Sequence, residues 1–509
     1  MTTLTIAGAL LPGHGPATTT VLVKDGRIAA IGEPPTGTVL DAGGGSVLPG
    51  FIDAHAHLLS LGESMAVLDL RDAAGFAEVV RRVAARAASA APGEWIIGRG
   101  WTPAGDPPHH HPLSQAAPDN PVLLNRFDHH GAVVNAAALR LAGVDAGTAD
   151  PPGGRVLRHE GEPTGVLLET AADLVRAVIP ARDAAGRRRL LRQAAAHCLR
   201  LGLTGLHDAI DDVTWIDDYR ALLAEGVPMP RIFGMVRAPA EGDLAEFAGD
   251  VLTGTGDPRF ALQRLRLVSD GGLAARGALF AEPYCDDPGH SGAALVTQER
   301  IREAARAVLA HGHGLTVHAI GDLANHRLLN TLEPLVADRP GHRFVVEHAT
   351  VVTPGDQRRM AALGLIASVQ PAHLHAATGY LLDRLGADRA RHAYAFRSML
   401  RAGVRLAHGT DFPVAPPDPM LTLHAGETRQ SRSGGEPLFP AERLTRAELL
   451  HGATAEGAYM ARREHDLGAL TPGHRADLVV LDRDLFAADP AELPQIRVRH
   501  TLIDGIPAQ

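Results

Sequence analysis

The 509 residues carry 58 Asp and Glu against 49 Lys and Arg, a formal net charge of -9. That balance argues against the broad basic field used to bind nucleic acid, and no uninterrupted apolar run reaches membrane-spanning length. With 45% hydrophobic residues and only Cys198 and Cys285, the chain is expected to bury a large core without a disulfide framework, in a reducing cytoplasm; its start lacks a basic segment followed by an apolar one.

Residues 1 to about 49 read as short strands at 4–6, 20–23 and 27–31, with Asp25-Gly26 placed as a tight hairpin turn. Next comes Leu48-Pro49-Gly50-Phe51-Ile52-Asp53-Ala54-His55-Ala56-His57-Leu58. As a strand it sends His55 and His57 to one face, where two imidazoles can grip one ion. Taken alone, a pair of hydrogen-bonded histidines is the plainer reading. From about 62 to 180 a helical repeat at Phe76, Val79, Val80 and Val83 is followed by strands at 95–98 and 122–124, separated by Pro-rich and Gly-rich stretches. This region reads as one large insertion. His109-His110-His111, set among prolines, reads as a polar loop.

From about 182 onward a helical pattern repeatedly ends at a glycine and hands over to a short apolar strand, at Gly202, Gly314, Gly364 and Gly403. Runs at 231–236, 265–269 and 344–348, with the opening His-x-His strand, bring the number of candidate strands to eight. Eight strand-helix units predict an α/β fold, a (β/α)8 TIM barrel; an open doubly wound sheet would announce a Gly-rich nucleotide loop, and none is evident. Strand patterns return at 476–481 and 498–503. They are expected to join the N-terminal strands in a small composite β-sandwich of 1–49 plus 466–509, leaving 50–465 to the barrel and its insertion after barrel strand one.

Catalytic groups of such barrels sit at the C-terminal strand ends. Here those ends carry His55 and His57, His207-Asp208, Asp270, His318, Glu347-His348, Gln370 and Asp411. Three histidines and an aspartate form a nitrogen and oxygen ligand set suited to zinc or iron.

The ordered motifs resemble the YtcJ-like branch of the metal-dependent amidohydrolase superfamily, essentially end to end. They include Pro49-Gly50-Phe51-Ile52-Asp53-Ala54-His55-Ala56-His57, Gly98-Arg99-Gly100-Trp101, His130 and Asn135, and Ser269-Asp270-Gly271. Val317-His318-Ala319, Glu347-His348-Ala349, Ser368-Val369-Gln370-Pro371, Gly409-Thr410-Asp411-Phe412-Pro413 and Ala476-Asp477-Leu478 complete the series. The resemblance implies hydrolysis of amide-like bonds by metal-activated water. Its departure is Arg266, at the position where many relatives carry a lysine whose carboxylated side chain bridges two metals. A guanidinium cannot be carboxylated in that way.

One divalent ion is therefore expected, zinc first with iron or manganese as alternatives, held by His55, His57, His318 and Asp411. His348 stands nearby to orient or polarise, or as a further ligand. A second ion would need another carboxylate, such as Asp270. Asp411 and His348 are the expected catalytic residues, and Arg266, Arg276, His373, Gln370 and Trp101 the expected substrate contacts. An ion pair of Arg266 with Asp270 or Asp208, surface exposure of His375, and a stabilising role of His130 and Asn135 in the insertion are the plainer readings.

The expected partner is a small-molecule substrate, without nucleic acid or membrane and with a homodimer as one option. The leading function is cleavage of a non-peptide carbon–nitrogen bond in an amide, N-substituted formamide or cyclic imide. A mononuclear deaminase or biosynthetic lyase is the alternative, and a non-catalytic metal-binding scaffold the third.

Overall fold

The computed structural model describes residues 3–13, 15, 17–101, 109–126, 131–252 and 257–508. The apolar runs become eight parallel strands, Phe51–Ala56, Leu203–Ile210, Arg231–Arg237, Phe260–Val268, Gly314–Ala319, Val345–His348, Ile366–Val369 and Arg405–His408. They are hydrogen-bonded in chain order in one sheet, and we number them as barrel strands one to eight. A parallel bridge from Ala56 to Phe412 closes the ring, and the Asp411 amide donates to the His55 carbonyl at 2.8 Å. Every residue of strands one, two, six and seven is buried, which accounts for their nearly continuous apolar character. This is the expected (β/α)8 barrel.

Of the four glycines placed at helix ends, Gly202, Gly364 and Gly403 have left-handed backbones, with φ of 84°, 68° and 91°. The expectation at Gly314 is corrected. The left-handed residue there is Gly312, whereas Gly314 begins strand five beside the stem of Arg264.

The chain ends build two further sheets. One orders Arg27–Ile31, Thr19–Lys24, Thr3–Ala9 and Thr38–Asp41; the other orders Ile506–Pro507, Val498–Ile503, Leu478–Leu481 and Val47–Pro49. Ile6, Val21 and Val23 from the first share one core with Val47, Leu478, Val480 and Leu502 from the second. Both Asp25 and Gly26 have positive φ, 48° and 79°, as the tight turn of a two-residue hairpin demands. Arg231, at the start of strand three, ties the barrel to the chain's end through Asp477 at 2.6 Å and Asp504 at 2.7 Å. Cys198 and Cys285 are free, and among the described residues no helix is long and apolar enough to cross a membrane.

Residues 62–190 form a separate compact unit, ten residues longer than the sequence suggested. Its six-stranded sheet runs Gly154–His159, Glu162–Glu169, Gly131–Val134, Val122–Arg126, Ile96–Trp101, Leu68–Asp69. Helix Phe76–Ala87 buries Val79 and Val83, two of the positions that carried the helical repeat. Asn135 caps helix Ala136–Ala142, and its amide also donates to the carbonyls of Ala117 and Asn120 at 2.9 and 2.8 Å. It stabilises this lobe; His130 lies outside the described residues. Trp101, expected as a substrate contact, is 2% exposed in the core of this unit, and its indole N–H donates to the Leu124 carbonyl at 2.9 Å. Its motif therefore reports packing.

Candidate metal centre

The centre begins with how strand one is locked to the turn after strand eight. Asp53 is buried, and its carboxylate accepts the amides of His55 and Thr410 at 3.0 and 3.1 Å and the Thr410 hydroxyl at 2.7 Å. A Cβ on Gly409 would stand 2.5 Å from the His55 nitrogen, so that close approach requires glycine. The two segments thereby bring Asp411 Oδ1 to 3.2 Å from Nε2 of both His55 and His57.

Strand six adds two side chains. Strict alternation would send Glu347 and His348 to opposite faces, yet both reach the centre, because His348 and Ala349 have φ of 69° and 43°. Glu347 Oε1 lies 2.8 Å from His55 Nδ1, off the ring's donor direction, so the contact is one of charge and neither atom gains a hydrogen bond from it. The His348 ring stands 5.2 Å from that of His55 and 4.4 Å from that of His318.

Three overlapping trios place their donor atoms within 4.8 Å of one another: His55, His57 and Asp411; His55, Glu347 and His348; His348, His373 and Asp411. His55, His57 and Asp411 thus come together as the sequence suggested. His318 belongs to none of these trios and packs against His348 instead, its Nε2 3.6 Å from Asp270. His373 is the closer neighbour of Asp411, at 4.0 Å, while its Nε2 also meets the Thr410 carbonyl at 3.2 Å.

The donor chemistry fits a bound cation. His55 Nδ1 and Nε2, His318 Nε2 and Glu347 Oε1 are all buried without a hydrogen-bond partner, a costly condition unless something fills the space between them. Burial lowers the His55 pKa, but the Glu347 and Asp411 carboxylates outweigh it and push the group up to about 10. Burial would raise both carboxyls; His55 holds Asp411, and His55 with Arg266 holds Glu347, well below the ordinary carboxylate range. Burial and then Arg266 lower His318 to about 4, and burial and then His318 lower His348 far below its usual value. These two rings therefore stay neutral, with lone pairs to offer.

Gln370 was expected to touch substrate, and the structure gives it a different task. Its Nε2 donates to the Ser368 carbonyl at 3.1 Å, leaving Oε1 to accept from His348 Nδ1 at 2.8 Å. That bond fixes the tautomer with Nε2 as the free electron pair. Gln370→Leu is expected to weaken metal retention about 10-fold to 100-fold, the range for a lost outer partner of a metal-binding histidine. Chelator competition measures this, and unchanged affinity would remove Gln370 from the positioning of His348.

Arg266 is ion-paired, but not to Asp270 or Asp208. Its Nε donates to Glu347 Oε2 at 3.1 Å, and its Nη1 lies 3.6 Å from Asp211. Asp270 accepts the amides of Leu279, Ile320 and Gly321 at 2.8, 3.0 and 2.9 Å, and burial raises it to about 6. It is thus a strut between the ends of strands four and five, in place of the ligand suggested for a second ion. Asp208 likewise accepts the Leu58 amide at 2.7 Å and the Tyr219 hydroxyl, and His207 Nε2 meets the Gly457 carbonyl at 2.9 Å. Arg276 is committed to Asp286 at 2.9 Å, and His375 pairs with His424 at 3.1 Å. Glu347, Asp53 and Asp211 were not assigned roles from sequence. For Glu347 the available signal was its place beside His348 at a strand end.

A closed sheet whose C-terminal face gathers histidines and carboxylates around unpartnered ring nitrogens defines a barrel with a candidate metal centre. The chain belongs to the amidohydrolase family, whose sequence profile matches residues 38–508. It is 31% identical to YtcJ of Bacillus subtilis, over 97% of this chain and 96% of that protein. It is 29% identical to the N-substituted formamide deformylase of Arthrobacter pascens, over 96% of this chain and 94% of that enzyme. A metal-dependent hydrolase from Pyrococcus furiosus superposes with a TM-score of 0.77 at 27% identity, covering 96% of this chain and all of that one.

Proposed function

We propose that this chain hydrolyses a non-peptide carbon–nitrogen bond, in an amide, N-substituted formamide or cyclic imide, with one divalent ion. Zinc is the first choice for the donor set, with iron or manganese as alternatives. The observation that carries the reading is the buried side-chain cluster around His55, whose two ring nitrogens lack hydrogen-bond partners while Asp411 and Glu347 flank them. His55, His57 and Asp411 would hold the ion, with His348 contributing Nε2 and His318 and His373 adjoining. The ion when bound supplies acidified water and polarises the scissile carbonyl.

The remaining work falls to the chain. Asp411, strongly favoured as a carboxylate, accepts the proton of the attacking water and returns it to the leaving nitrogen. His348, with Nδ1–H held by Gln370, presents an electron pair and no proton. It therefore acts as a ligand and does not donate to a carbonyl. Arg266 stays a cation bound to Glu347, where a carbamate would need a free amine, and this supports a single ion.

Metal analysis of the purified protein, coupled to turnover of a panel of N-substituted formamides, amides, cyclic imides and aminated heterocycles, tests the reading. One ion per chain and metal-dependent amine release are expected. Two full sites would overturn the one-ion reading, and ammonia released only from the aminated heterocycles would favour the deaminase alternative.

A further inference from the structure

A cavity of 390 Å³ opens at the C-terminal ends of barrel strands three and four. Arg237, Arg266 and Arg300 line it, no acidic side chain does, and most of the remaining wall is apolar, with Pro239, Leu295 and Val268 among its members. The frame is fixed by backbone bonds: the Ala238 amide donates to the Arg266 carbonyl, and the Leu295 amide to that of Ser269, both at 2.9 Å.

The three guanidinium groups differ in how fully they are engaged. Arg300 donates to the Pro239 and Gly242 carbonyls at 2.9 Å and to Glu303 at 3.0 Å, and serves as wall. Arg237 is 56% exposed, and among the described residues its one side-chain ion pair is with Asp211 at 3.5 Å, the outer limit of a hydrogen bond. Arg266 spends Nε on Glu347, and among the described residues its terminal nitrogens make no hydrogen bond. Asp211 is thus a single carboxylate set against two guanidiniums, at 3.5 and 3.6 Å. With Glu347 held by Arg266, the two guanidiniums are matched by two carboxylates, and what this corner keeps is donor capacity, in the Arg266 terminal nitrogens and the loosely held Arg237, both of them residues that line the cavity. Planar, forked guanidinium donors of this kind match a carboxylate.

Two wall residues of the cavity are also neighbours of metal-centre residues. Arg266 reaches His55 through the shared carboxylate of Glu347, and Val268 on the cavity wall pairs in register with His318. We propose that this cavity is a subsite for a substrate carboxylate, so that the substrate is an amide or formamide bearing a free carboxylate away from the scissile bond, with the apolar wall covering the carbon chain between them. This rests on the hydrolase reading above for the scissile bond, but the anion site can be tested without turnover.

Two measurements on the full chain, wild type and Arg237→Gln, separate the two ideas. The first is calorimetric titration with succinate, whose Kd is expected to rise about tenfold or more in the variant, the range for losing a hydrogen bond between charged groups. Succinate held only by a metal would bind both proteins alike, and either that result or no binding to wild type overturns the subsite. The second compares an N-formyl amino acid with its methyl ester. Wild type should favour the acid about tenfold or more in kcat/KM, and the preference should fall toward parity in the variant. An acid-to-ester ratio near one in wild type, or one unchanged by the substitution, overturns the proposal. Succinate binding that depends on Arg237, with neither compound hydrolysed, would leave the subsite standing and remove N-formyl amino acids from the hydrolase reading.

Discussion

Alanine at position 55 is expected to remove the bound ion and turnover together. His55 is fully buried, with Nε2 3.2 Å from Asp411 and Nδ1 2.8 Å from Glu347, so both ring nitrogens face the carboxylates that would share a cation with it. Among the described residues His55 belongs to two of the three trios, as His348 does, and it is the one that links His57 on strand one to Glu347 on strand six. Metal content should fall by more than about tenfold to 100-fold, beyond what removing an outer partner does, and activity should fall with it. Circular dichroism and thermal melting establish whether the variant is folded, and metal analysis with steady-state turnover reads the effect. A folded variant that keeps its ion and its activity would refute His55 as a ligand.

Much of this centre was legible because barrel chemistry is confined to strand ends, and strand ends are marked by the passage from an apolar run to a histidine or carboxylate. His55, His57 and Asp411 were found that way. What the sequence does not carry is side-chain direction after a departure from regular backbone. His348 joins Glu347 beside His55 because His348 itself takes a positive φ, and a period-two reading of Glu347-His348 sends one of the pair out of the site. His318 has the right position at the end of strand five but turns toward His348, outside the tightest trios.

Gln370 and Trp101 show another limit, since a polar or aromatic residue in a family motif reads alike whether it meets substrate or holds its neighbour. The Gln370 amide and the Trp101 indole N–H are both spent inside the protein. The barrel was easier to read because periodicity and glycine turns act locally. Even there, Gly312 and Gly314 could be told apart only by backbone angle.

Asp477→Ala should be among the most destabilising single substitutions away from the metal centre, at about 3–5 kcal/mol, the cost of leaving one partner of a buried ion pair alone. Arg231 and Asp477 have side chains 1% and 5% exposed. The carboxylate accepts Arg231 Nε at 2.6 Å, Nη2 at 2.9 Å and the Asp504 amide at 2.9 Å. Asp504 contacts the same guanidinium at 2.7 Å but is also shared with Arg475 at 2.6 Å, so it replaces Asp477 only in part. Because Arg231 starts barrel strand three and Asp477 precedes Leu478–Leu481 of the sandwich, loss of the pair loosens both elements at their junction.

The urea midpoint should fall, with faster amide exchange in 478–481. The double variant Arg231→Met with Asp477→Leu is expected to recover much of the loss, since replacing both charges by apolar groups of similar volume removes the unpaired guanidinium. A single variant within about 0.5 kcal/mol of wild type would place the pair among surface-like contacts. A double variant no better than the single would instead assign the stability to Asp477's bond with the Asp504 amide, a contact that Asp477→Asn retains through its side-chain carbonyl.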